Sequence, residues 1–342
     1  MKELLERIVS GHDLREEEAA DLLVALTDES LPEAAAAAML TALRAKGETA
    51  DEVRGFATAM RRLARRPNIP RDASAVDIVG TGGDGSGSLN LSTGAALLTA
   101  ATGQPVVKHG NRSISSRCGS ADVLEALGLR LPTDESEAGA CLDATGFTFL
   151  FAPYFHPAMK ALAAVRRTIG IRTIFNVLGP LTNPAEPPYY LIGAFSVEVA
   201  ELMADALSGL PLERAFVVHG TPGWDEATPV GPFELFDVRP GSVSHTQRDP
   251  AVFGVPRCAP EDLAGGDAAA NASRLRSALQ GEDGPHRDAI TIGSALALEV
   301  SGRVPGFERG LEAARGAIDD GSGAAFLERL IAFSAGGEDS ND

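Results

Sequence analysis

A glycine-rich segment is the strongest chemical signal in this sequence. Residues 80–87 read GTGGDGSG, with five glycines in eight positions, and they follow a short apolar run at 76–79. Glycines let backbone amides approach an anion closely, and the N-terminus of a following helix adds partial positive charge. The pattern therefore predicts a phosphate-binding loop between a strand and a helix. It is neither a Walker A loop, since no Lys-Ser/Thr pair follows, nor a clean dinucleotide-binding motif.

Polar side chains in and after this loop could meet a phosphorylated ligand. Asn90, Ser92 and Thr93 lie at the start of the expected helix and can donate hydrogen bonds to phosphate oxygens. Asp84 would repel a phosphate unless a cation lies between them, and Mg²⁺ is commonly shared between carboxylates and substrate phosphates. The alternative is a long turn in which Ser92 or Thr93 only caps the helix.

Two further segments place cations beside polar side chains. KHGNR at 108–112 follows the apolar run 105–107 and precedes Ser120, so it belongs to the carboxyl edge of a sheet, where open α/β folds bind ligands. RRTIGIRT at 166–173 offers arginines, which can bind a carboxylate or phosphate through two bonds. The alternatives are a charged surface loop for the first segment and a domain junction with solvated arginines for the second.

Acidic and histidine side chains elsewhere are ambiguous by themselves. Asp225 and Glu226 are adjacent after an expected strand, and such a pair can hold Mg²⁺, but adjacent surface acids are common in an acidic chain. His156 lies beside aromatic residues, a setting more typical of a packed side chain than of a catalyst. The sequence has no Ser/His/Asp order and no zinc-ligand spacing. From the residues alone, the predicted chemistry is therefore the binding of a phosphorylated small molecule.

The composition limits the possible partners. The 342 residues carry 30 Lys and Arg against 47 Asp and Glu, a formal net charge of −17. A nucleic-acid surface would need a basic face, and docking on anionic lipid would need cationic segments, so neither partner is expected. The 3 cysteines share no metal-ligand spacing, the first residues carry acids rather than a signal-peptide core, and no apolar run reaches about 18 residues. These features predict a cytoplasmic protein without disulfides.

The elements that must position these residues form two groups. The first 66 residues have helical spacing, with capping boxes predicted at 30–33 and 49–52, and they should pack as a small bundle. Short β-branched runs then alternate with alanine-rich stretches, which predicts an α/β domain with a mainly parallel sheet flanked by helices. The expected strands are 76–79, 105–107, 190–194 and 214–218, and the expected helices are 120–128, 135–145, 196–208 and 268–280. The predicted domains are a small helical domain at 1–68, an α/β domain at 69–334 and a disordered tail at 335–342.

Taken together, the motifs resemble those of the anthranilate phosphoribosyltransferase family through nearly the whole chain. They are GTGGDG with NLST, KHGNR with GSADVLEALG, RTIFNVLGPLTNP and the late Asp-Glu pair, in that order. The resemblance implies the fold type shared with pyrimidine nucleoside phosphorylases. It also implies that residues near 157–185 return to the small domain or form the hinge, and that a homodimer forms through the small helical domains.

The reaction implied by this resemblance joins the amine of anthranilate to C1 of 5-phosphoribosyl 1-pyrophosphate and releases pyrophosphate with inversion. Displacement at C1 should pass through an oxocarbenium-like state, as in glycoside chemistry. An aromatic amine is nucleophilic when neutral, so positioning could matter more than a strong base. We therefore assign no residue as a general base.

The resemblance also implies roles for individual residues. The residues expected to bind 5-phosphoribosyl 1-pyrophosphate are Gly80, Thr81, Gly82, Gly83, Asp84, Asn90, Ser92, Thr93, Lys108 and Ser120. Those expected to bind anthranilate are Gly80, His109, Asn111, His156 and Arg166. Those expected to hold Mg²⁺ are Ser92, Asp225 and Glu226, with the ion bridging Asp84 and the acidic pair to pyrophosphate. Lys108, Arg112 and Arg166 would then form a positive pocket inside an acidic protein.

Some positions depart from the family pattern. Pro222 stands where the family commonly has Asp, Thr291 and Ile292 stand in place of an Asn-Ala pair, and Cys118 lies in a loop where serine is common. These departures leave room for a paralogue that uses another aromatic or heterocyclic acceptor. A nucleoside phosphorylase is disfavoured because its Lys-x-Ser-x-Gly-Gly pattern is missing, and a nucleic-acid-binding relative is disfavoured by the charge of −17.

Overall fold

Helices occupy the start of the chain, and strands alternate with helices after it. The computed structural model describes residues 1–70, 73–112 and 117–336. The helices are α1 Lys2–Val9, α2 Glu16–Leu26, α3 Glu33–Lys46, α4 Ala50–Leu63, α5 Leu91–Ala101, α6 Ser120–Ala126, α7 Glu135–Thr145, α8 Ala152–Phe155, α9 Lys160–Ile169, α10 Phe175–Leu178, α11 Val197–Ser208, α12 Ala268–Leu279, α13 Pro285–Val300, α14 Phe307–Asp319 and α15 Ser322–Ser334. The strands are β1 Val76–Gly80, β2 Val106–Gly110, β3 Phe147–Phe151, β4 Tyr189–Gly193, β5 Arg214–Gly220, β6 Phe233–Arg239 and β7 Ser242–Arg248.

Within the described residues, the strands form one sheet in the order β3-β2-β1-β4-β5-β6-β7. The pairs among β1 to β5 are parallel, whereas β6 pairs with β5 and β7 in antiparallel fashion. The predicted fold class, a mainly parallel sheet flanked by helices, is confirmed. The sequence patterns did not predict β3, β6 or β7. The hairpin of β6 and β7 follows β5 without an intervening helix, so the alternation rule that located the other strands does not apply to it.

The parallel strands β1 to β5 are mostly buried on both faces, as is usual for parallel sheets, whereas β7 is mostly exposed. Leu191 of β4 packs into one hydrophobic cluster with residues of α5, α13, α14 and α15. Its neighbours Tyr190 and Ile192 pack into a second cluster with residues of α2, α3, α4 and α11. Successive side chains of a strand point to opposite faces, so β4 contributes to both clusters. The N-terminal helices therefore cover one face of the sheet directly.

A segment after β3 packs with the N-terminal helices. Leu162 and Val165 of α9 and Phe175 of α10 belong to the same hydrophobic cluster as α2, α3 and α4. This packing supports the predicted return of residues near 157–185 to the small domain, while the boundaries 1–68 and 69–334 stay predictions. Of the predicted tail, residues 335–336 form a turn after α15, and 337–342 lie outside the described residues.

Neither the bundle nor the α/β part provides a membrane span. In the described part of the chain, no helix is long and apolar enough to cross a membrane. The cytoplasmic location stays a prediction.

One of the two predicted capping boxes is present. The Thr49 hydroxyl accepts a hydrogen bond from the Glu52 backbone N–H at 3.3 Å, and the Glu52 carboxylate accepts one from the Thr49 N–H at 2.9 Å. The capping box at 30–33 is wrong, because α3 begins at Glu33 with Pro32 before it and has no side-chain cap. A residue that precedes proline is driven away from helical geometry, so Leu31 cannot join the helix.

Replacing the cap of α4 should weaken the bundle. We expect Thr49→Ala to lower the free energy of unfolding by about 1 kcal/mol, because it leaves the Glu52 N–H without its side-chain acceptor. Ser30→Ala is the matched control and should change it by less than about 0.5 kcal/mol. Denaturant titrations of both variants measure the difference. Equal losses would mean that Ser30 caps α3 after all.

Candidate active site

The predicted site segments meet at the carboxyl edge of the sheet. β1 ends at Gly80 and leads into the glycine loop, β2 ends in the KHGNR segment, and the acidic pair follows β5. The loop turns tightly, with φ between 60° and 76° at Gly82, Gly83, Gly85 and Gly87. Such positive φ values favour glycine over residues that carry a Cβ. Residues 113–116, which follow KHGNR, lie outside the described residues.

The acidic pair lies directly on the strand ends. A Cβ added at Gly80, Gly193 or Gly220 would come within 3.0 Å of Asp225 or Glu226, closer than real Cβ atoms approach a neighbour. Gly80 and Gly193 are paired across β1 and β4. The backbone at Asp225 therefore lies against a part of the sheet edge where the strands carry no side chains. Sequence reasoning missed Gly193 and Gly220, since isolated strand-end glycines carry no distinctive pattern. Close backbone approach is the physical reason for glycine here.

Hydrogen bonds join the acidic pair to the glycine loop and to α5. Asp225 Oδ2 accepts the Gly82 N–H at 2.6 Å, and Glu226 Oε1 accepts the Ser92 N–H at 2.9 Å. The Asp225 N–H donates to Asp84 Oδ2 at 3.4 Å. The structure thus brings together Asp84, Ser92, Asp225 and Glu226, which the sequence spreads over more than 140 residues.

Negative charge is concentrated and buried at this edge. Burial, with the charge of Asp84 beside it, raises the pKa of Asp225 to about 7, and burial together with Asp225 raises the pKa of Glu226 well above its usual range. Lys108 lies beneath them: its Nζ donates to the Ile78 carbonyl at 2.5 Å and lies 3.5 Å from Ser92 Oγ. Burial lowers the pKa of Lys108 to about 8, although the nearby acids oppose this.

These groups fit a divalent cation. Oxygen ligands are those that Mg²⁺ prefers, and buried carboxylates with raised pKa values are relieved by added positive charge. Within the described ranges, no group of three or more His, Cys, Asp and Glu side chains is arranged to hold a metal ion by itself. In phosphate chemistry Mg²⁺ is usually held by one or two carboxylates together with oxygens of a phosphorylated substrate.

Two neutral histidines form the neighbouring part of the site. The rings of His109 and His156 lie 5.1 Å apart between centroids. Burial lowers the pKa of His109 to about 3 and that of His156 to about 4, so both rings are uncharged near neutral pH. His109 Nδ1 lies 3.2 Å from the Gly179 carbonyl, which can only accept, so Nδ1 carries the proton. Both Nε2 atoms are buried without a hydrogen-bond partner in the described structure.

Arg166 lies on α9, the helix that packs with the bundle. Its guanidinium lies 5.2 Å from the centre of the Phe175 ring, and burial lowers its pKa. No salt bridge joins it to the described residues. A half-buried arginine that stacks on an aromatic ring and lacks an acidic partner is suited to an aromatic carboxylate.

Several of the expected ligand-binding side chains bond to protein groups in this structure. Asn90 Nδ2 donates to the Cys118 carbonyl, and its Oδ1 accepts from Asn271, a residue that the sequence motifs did not indicate. Ser120 Oγ donates to the Asn111 carbonyl at 3.2 Å. These bonds connect Asn90, at the start of α5, to Cys118 and Asn271, and Ser120, at the start of α6, to Asn111.

The remaining predicted hydroxyls are buried. Thr93 is fully buried at the start of α5, and its Oγ1 has no hydrogen-bond partner in the described structure. Thr81 Oγ1 is also buried without a hydrogen-bond partner in the described structure, while the Thr81 N–H donates to the Gly193 carbonyl at 2.9 Å. The Thr81 backbone therefore ties the glycine loop to β4.

Two arginines have hydrogen-bond partners that the sequence did not predict. Arg112, expected in a positive pocket, binds Glu125 through two bonds of 2.6 Å and also pairs with Asp122, so acids balance its charge. Arg172, which the sequence could not distinguish from a solvated arginine, donates to the Gly83 carbonyl at 2.5 Å and lies over the Phe195 ring. Arg172 thus connects the 166–173 segment to the glycine loop.

The departures from the family pattern lie around this edge. Pro222 is in the turn between β5 and the acidic pair, where the Gly220 N–H donates to the Trp224 carbonyl. Thr291 and Ile292 are buried in α13, which packs on α5. Their influence on the site therefore passes through the packing of α5.

Known proteins match this chain along almost its whole length. A family model described as the α/β domain of a glycosyl transferase family matches residues 72–324, and one described as the helical bundle domain of that family matches residues 2–64. The anthranilate phosphoribosyltransferase of Desulforudis audaxviator is 46% identical over 335 residues, covering 98% of this chain and 96% of that protein. The corresponding enzyme of Pelotomaculum thermopropionicum is 45% identical with the same coverage.

Solved structures give the same result. The anthranilate phosphoribosyltransferase of Thermus thermophilus superposes with a TM-score of 0.90 at 42% identity, covering 97% of this chain and 99% of that one. The enzyme of Saccharomyces cerevisiae in complex with PRPP and Mg has a TM-score of 0.87 at 27% identity, covering 98% and 97% of the two chains. The same yeast enzyme has also been solved in complex with 4-fluoroanthranilate.

Adding a Cβ under the acidic pair should disturb it. We expect Gly193→Ala to lower the free energy of unfolding by about 2 kcal/mol, because the new methyl group must push the Asp225 backbone off the sheet. Gly316→Ala is the matched control: a Cβ there meets nothing within 4 Å, and it should be neutral or stabilising. Thermal unfolding measures both. A Gly193→Ala variant as stable as the parent would contradict the close packing.

Proposed function

This chain belongs to the anthranilate phosphoribosyltransferase family, and we propose that it transfers the phosphoribosyl group of 5-phosphoribosyl 1-pyrophosphate to the amine of anthranilate. Its products are N-(5-phosphoribosyl)anthranilate and pyrophosphate, so it is a pentosyl-transferring glycosyltransferase of tryptophan biosynthesis. The predicted family is thereby confirmed. The observation that carries the proposal is the acidic pair, with Asp225 buried and Glu226 partly buried, hydrogen-bonded to a glycine loop and to the first turn of α5.

The phosphorylated substrate would bind at the glycine loop. Backbone amides of the loop and the N-terminus of α5 supply donors without adding charge to the protein. Lys108 supplies the buried cation of this edge, where pyrophosphate oxygens would balance it. The full set proposed for this substrate is Gly80, Thr81, Gly82, Gly83, Asp84, Asn90, Ser92, Thr93, Lys108 and Ser120. Asn90 and Ser120, which bond to protein carbonyls here, would have to exchange those bonds for phosphate.

Mg²⁺ fits the acidic pair, with Ser92, Asp225 and Glu226 as its proposed protein ligands and Asp84 next to them. When bound, the ion supplies positive charge to pyrophosphate oxygens as the bond to C1 breaks. The protein keeps Asp225 and Glu226 fixed by the Gly82 and Ser92 N–H groups, so each carboxylate has one oxygen that these two bonds do not use. Fixed dipoles and charges at a leaving group cost no reorganisation during the reaction.

The aromatic acceptor would bind on the histidine side. Arg166 offers a guanidinium for the carboxylate, and Gly80 and Asn111 are proposed to line the same subsite. His109 and His156 are neutral, so they neither repel the guanidinium nor protonate the amine. An aromatic amine is unprotonated near neutral pH, so attack on C1 depends on orientation rather than on a general base.

The quaternary structure follows the family expectation. We propose a homodimer formed through the small helical domains. The described structure leaves Val9 of α1 and Val24 of α2 exposed, at 68% and 37%. These two side chains are accessible to a partner, and the contact itself rests on the family resemblance.

The activity is tested by the fluorescence of anthranilate. We expect it to fall when the protein is mixed with anthranilate, 5-phosphoribosyl 1-pyrophosphate and Mg²⁺, with one pyrophosphate released for each anthranilate consumed. Omitting Mg²⁺ should abolish the loss, since the acidic pair would then repel the substrate. Pyrophosphate release with another aromatic or heterocyclic amine, and none with anthranilate, would identify a paralogue with a different acceptor.

Arg166 can be tested against its neighbour in sequence. We expect Arg166→Ala to raise the KM for anthranilate by about 30-fold, the value of a lost charge-assisted pair, and to change the KM for 5-phosphoribosyl 1-pyrophosphate by less than about threefold. Arg167→Ala, at an exposed position of the same helix, is the control and should leave both constants near those of the parent. Steady-state kinetics with each substrate varied in turn decides the matter. Equal increases in both constants would remove Arg166 from the acceptor subsite.

A further inference from the structure

One short turn contacts both histidines of the acceptor subsite. The Gly179 carbonyl accepts from His109 Nδ1. A hydrogen bond to the Thr182 backbone raises the pKa of His156, although burial lowers it by more. The Leu181 carbonyl of the same turn accepts from Arg61 Nε of α4 at 2.8 Å. Residues 179–183, which we call the histidine turn, therefore decide which ring nitrogen of His109 carries its proton.

The histidine turn is anchored to the sheet by one buried side chain. Asn183 Nδ2 donates to Asp77 Oδ2 at 2.8 Å and to the Val107 carbonyl at 2.9 Å, and its Oδ1 accepts the Ala185 N–H at 2.9 Å. Asn183 thus spans β1, β2 and its own turn. Both Asn183 and Asp77 are fully buried.

Asp77 completes the link on the side of β2. Its Oδ1 accepts the backbone N–H of His109 at 3.2 Å, so one carboxylate binds both the histidine's own backbone and the turn that orients its ring. Lys108 lies close enough to act on the charge of Asp77. A carboxylate in the middle of a buried strand is costly unless it is paired and hydrogen-bonded, so hydrophobic packing alone does not account for it.

We propose that Asp77 and Asn183 are positioning residues for the acceptor subsite. Their hydrogen bond fixes the position of the histidine turn relative to β2. The turn then keeps His109 protonated on Nδ1, which leaves the Nε2 lone pair of His109 available to the N–H groups of the aromatic amine. The inference rests on the proposed function for the identity of that amine. The tautomer and the orientation of the rings follow from the protein's own contacts.

The network also reaches the helical bundle. Arg61 Nη2 donates to the Tyr190 hydroxyl at 3.2 Å, and Tyr190 is paired with Asp77 across β4 and β1. Since Arg61 also donates to Leu181, the turn is held from the bundle side as well as from the sheet side. Loss of the Asn183 anchor should therefore loosen the histidine turn without unfolding it.

The test uses Asn183→Ala, Asp77→Asn and the double variant. For Asn183→Ala we expect the KM for anthranilate to rise about tenfold and the KM for 5-phosphoribosyl 1-pyrophosphate to change less than about twofold, because the variant leaves Asp77 beside Lys108. The double variant should be no worse toward anthranilate than the worse single variant, since both remove the same bond. If Asp77→Asn fails to fold, Asn183→Ala decides alone.

A matched control lies at the other end of β2. Gln104 is also buried, and its Nε2 donates to the Ser74 carbonyl at 2.5 Å and to the Pro105 carbonyl at 3.3 Å. Gln104→Ala removes the same kind of bond from the same region of the sheet, away from the histidines. It should lower thermal stability and leave both KM values near those of the parent.

A second readout does not depend on activity. ¹⁵N NMR of the imidazoles should show His109 of the parent protonated on Nδ1 alone, and Asn183→Ala should mix the two tautomers, whereas Gln104→Ala should not. Unchanged imidazole signals together with an unchanged anthranilate KM in Asn183→Ala would overturn the inference. A parent protein that shows the Nδ1 tautomer but transfers nothing to anthranilate would instead overturn the proposed function.

Discussion

The site depends on a short acidic segment that lies directly on the carboxyl edge of the sheet. Asp225 and Glu226 come this close because β1, β4 and β5 all end in glycine, which leaves the strand ends bare. Asp225 is buried, Glu226 is partly buried and both carboxyls have raised pKa values, so the edge is stable only with positive partners. Lys108, the N–H groups of the glycine loop and the start of α5 are those partners in the protein. In the proposed function, a cation and a phosphorylated ligand would complete the arrangement.

The two halves of the site use opposite electrostatics. The half at the glycine loop concentrates charge, and it would exchange the repulsion among acids for contacts with a metal ion and a pyrophosphate. The half at His109 and His156 combines two imidazoles that burial keeps neutral with the guanidinium of Arg166. An aromatic amine is already unprotonated near neutral pH, so this half of the site would have to orient it rather than deprotonate it. The histidine turn joins the sheet to the bundle through Asn183 and Arg61.

The overall charge of −17 describes the surface better than the cleft. Ion pairs between arginines and acids are frequent at the surface, and Arg112 belongs to one of them rather than to a positive pocket. Lys108 lies beneath the acidic pair, and Arg166 is stacked on Phe175 without an acidic partner among the described residues. An acidic protein can thus bind a polyanion, since local geometry and backbone dipoles outweigh a distant net charge.

The sequence by itself determined the helical start, the alternating α/β pattern, the glycine loop between a strand and a helix, and the family, because these depend on local periodicity and on contiguous motifs. It could not locate the hairpin of β6 and β7, and it placed a cap at Ser30 that Pro32 forbids. Only the tertiary structure decided that Gly193 must be glycine and that Asp77 binds Asn183. The reason is physical: such contacts join residues that are far apart in the chain, and their energies arise from burial and close approach, which no local pattern encodes.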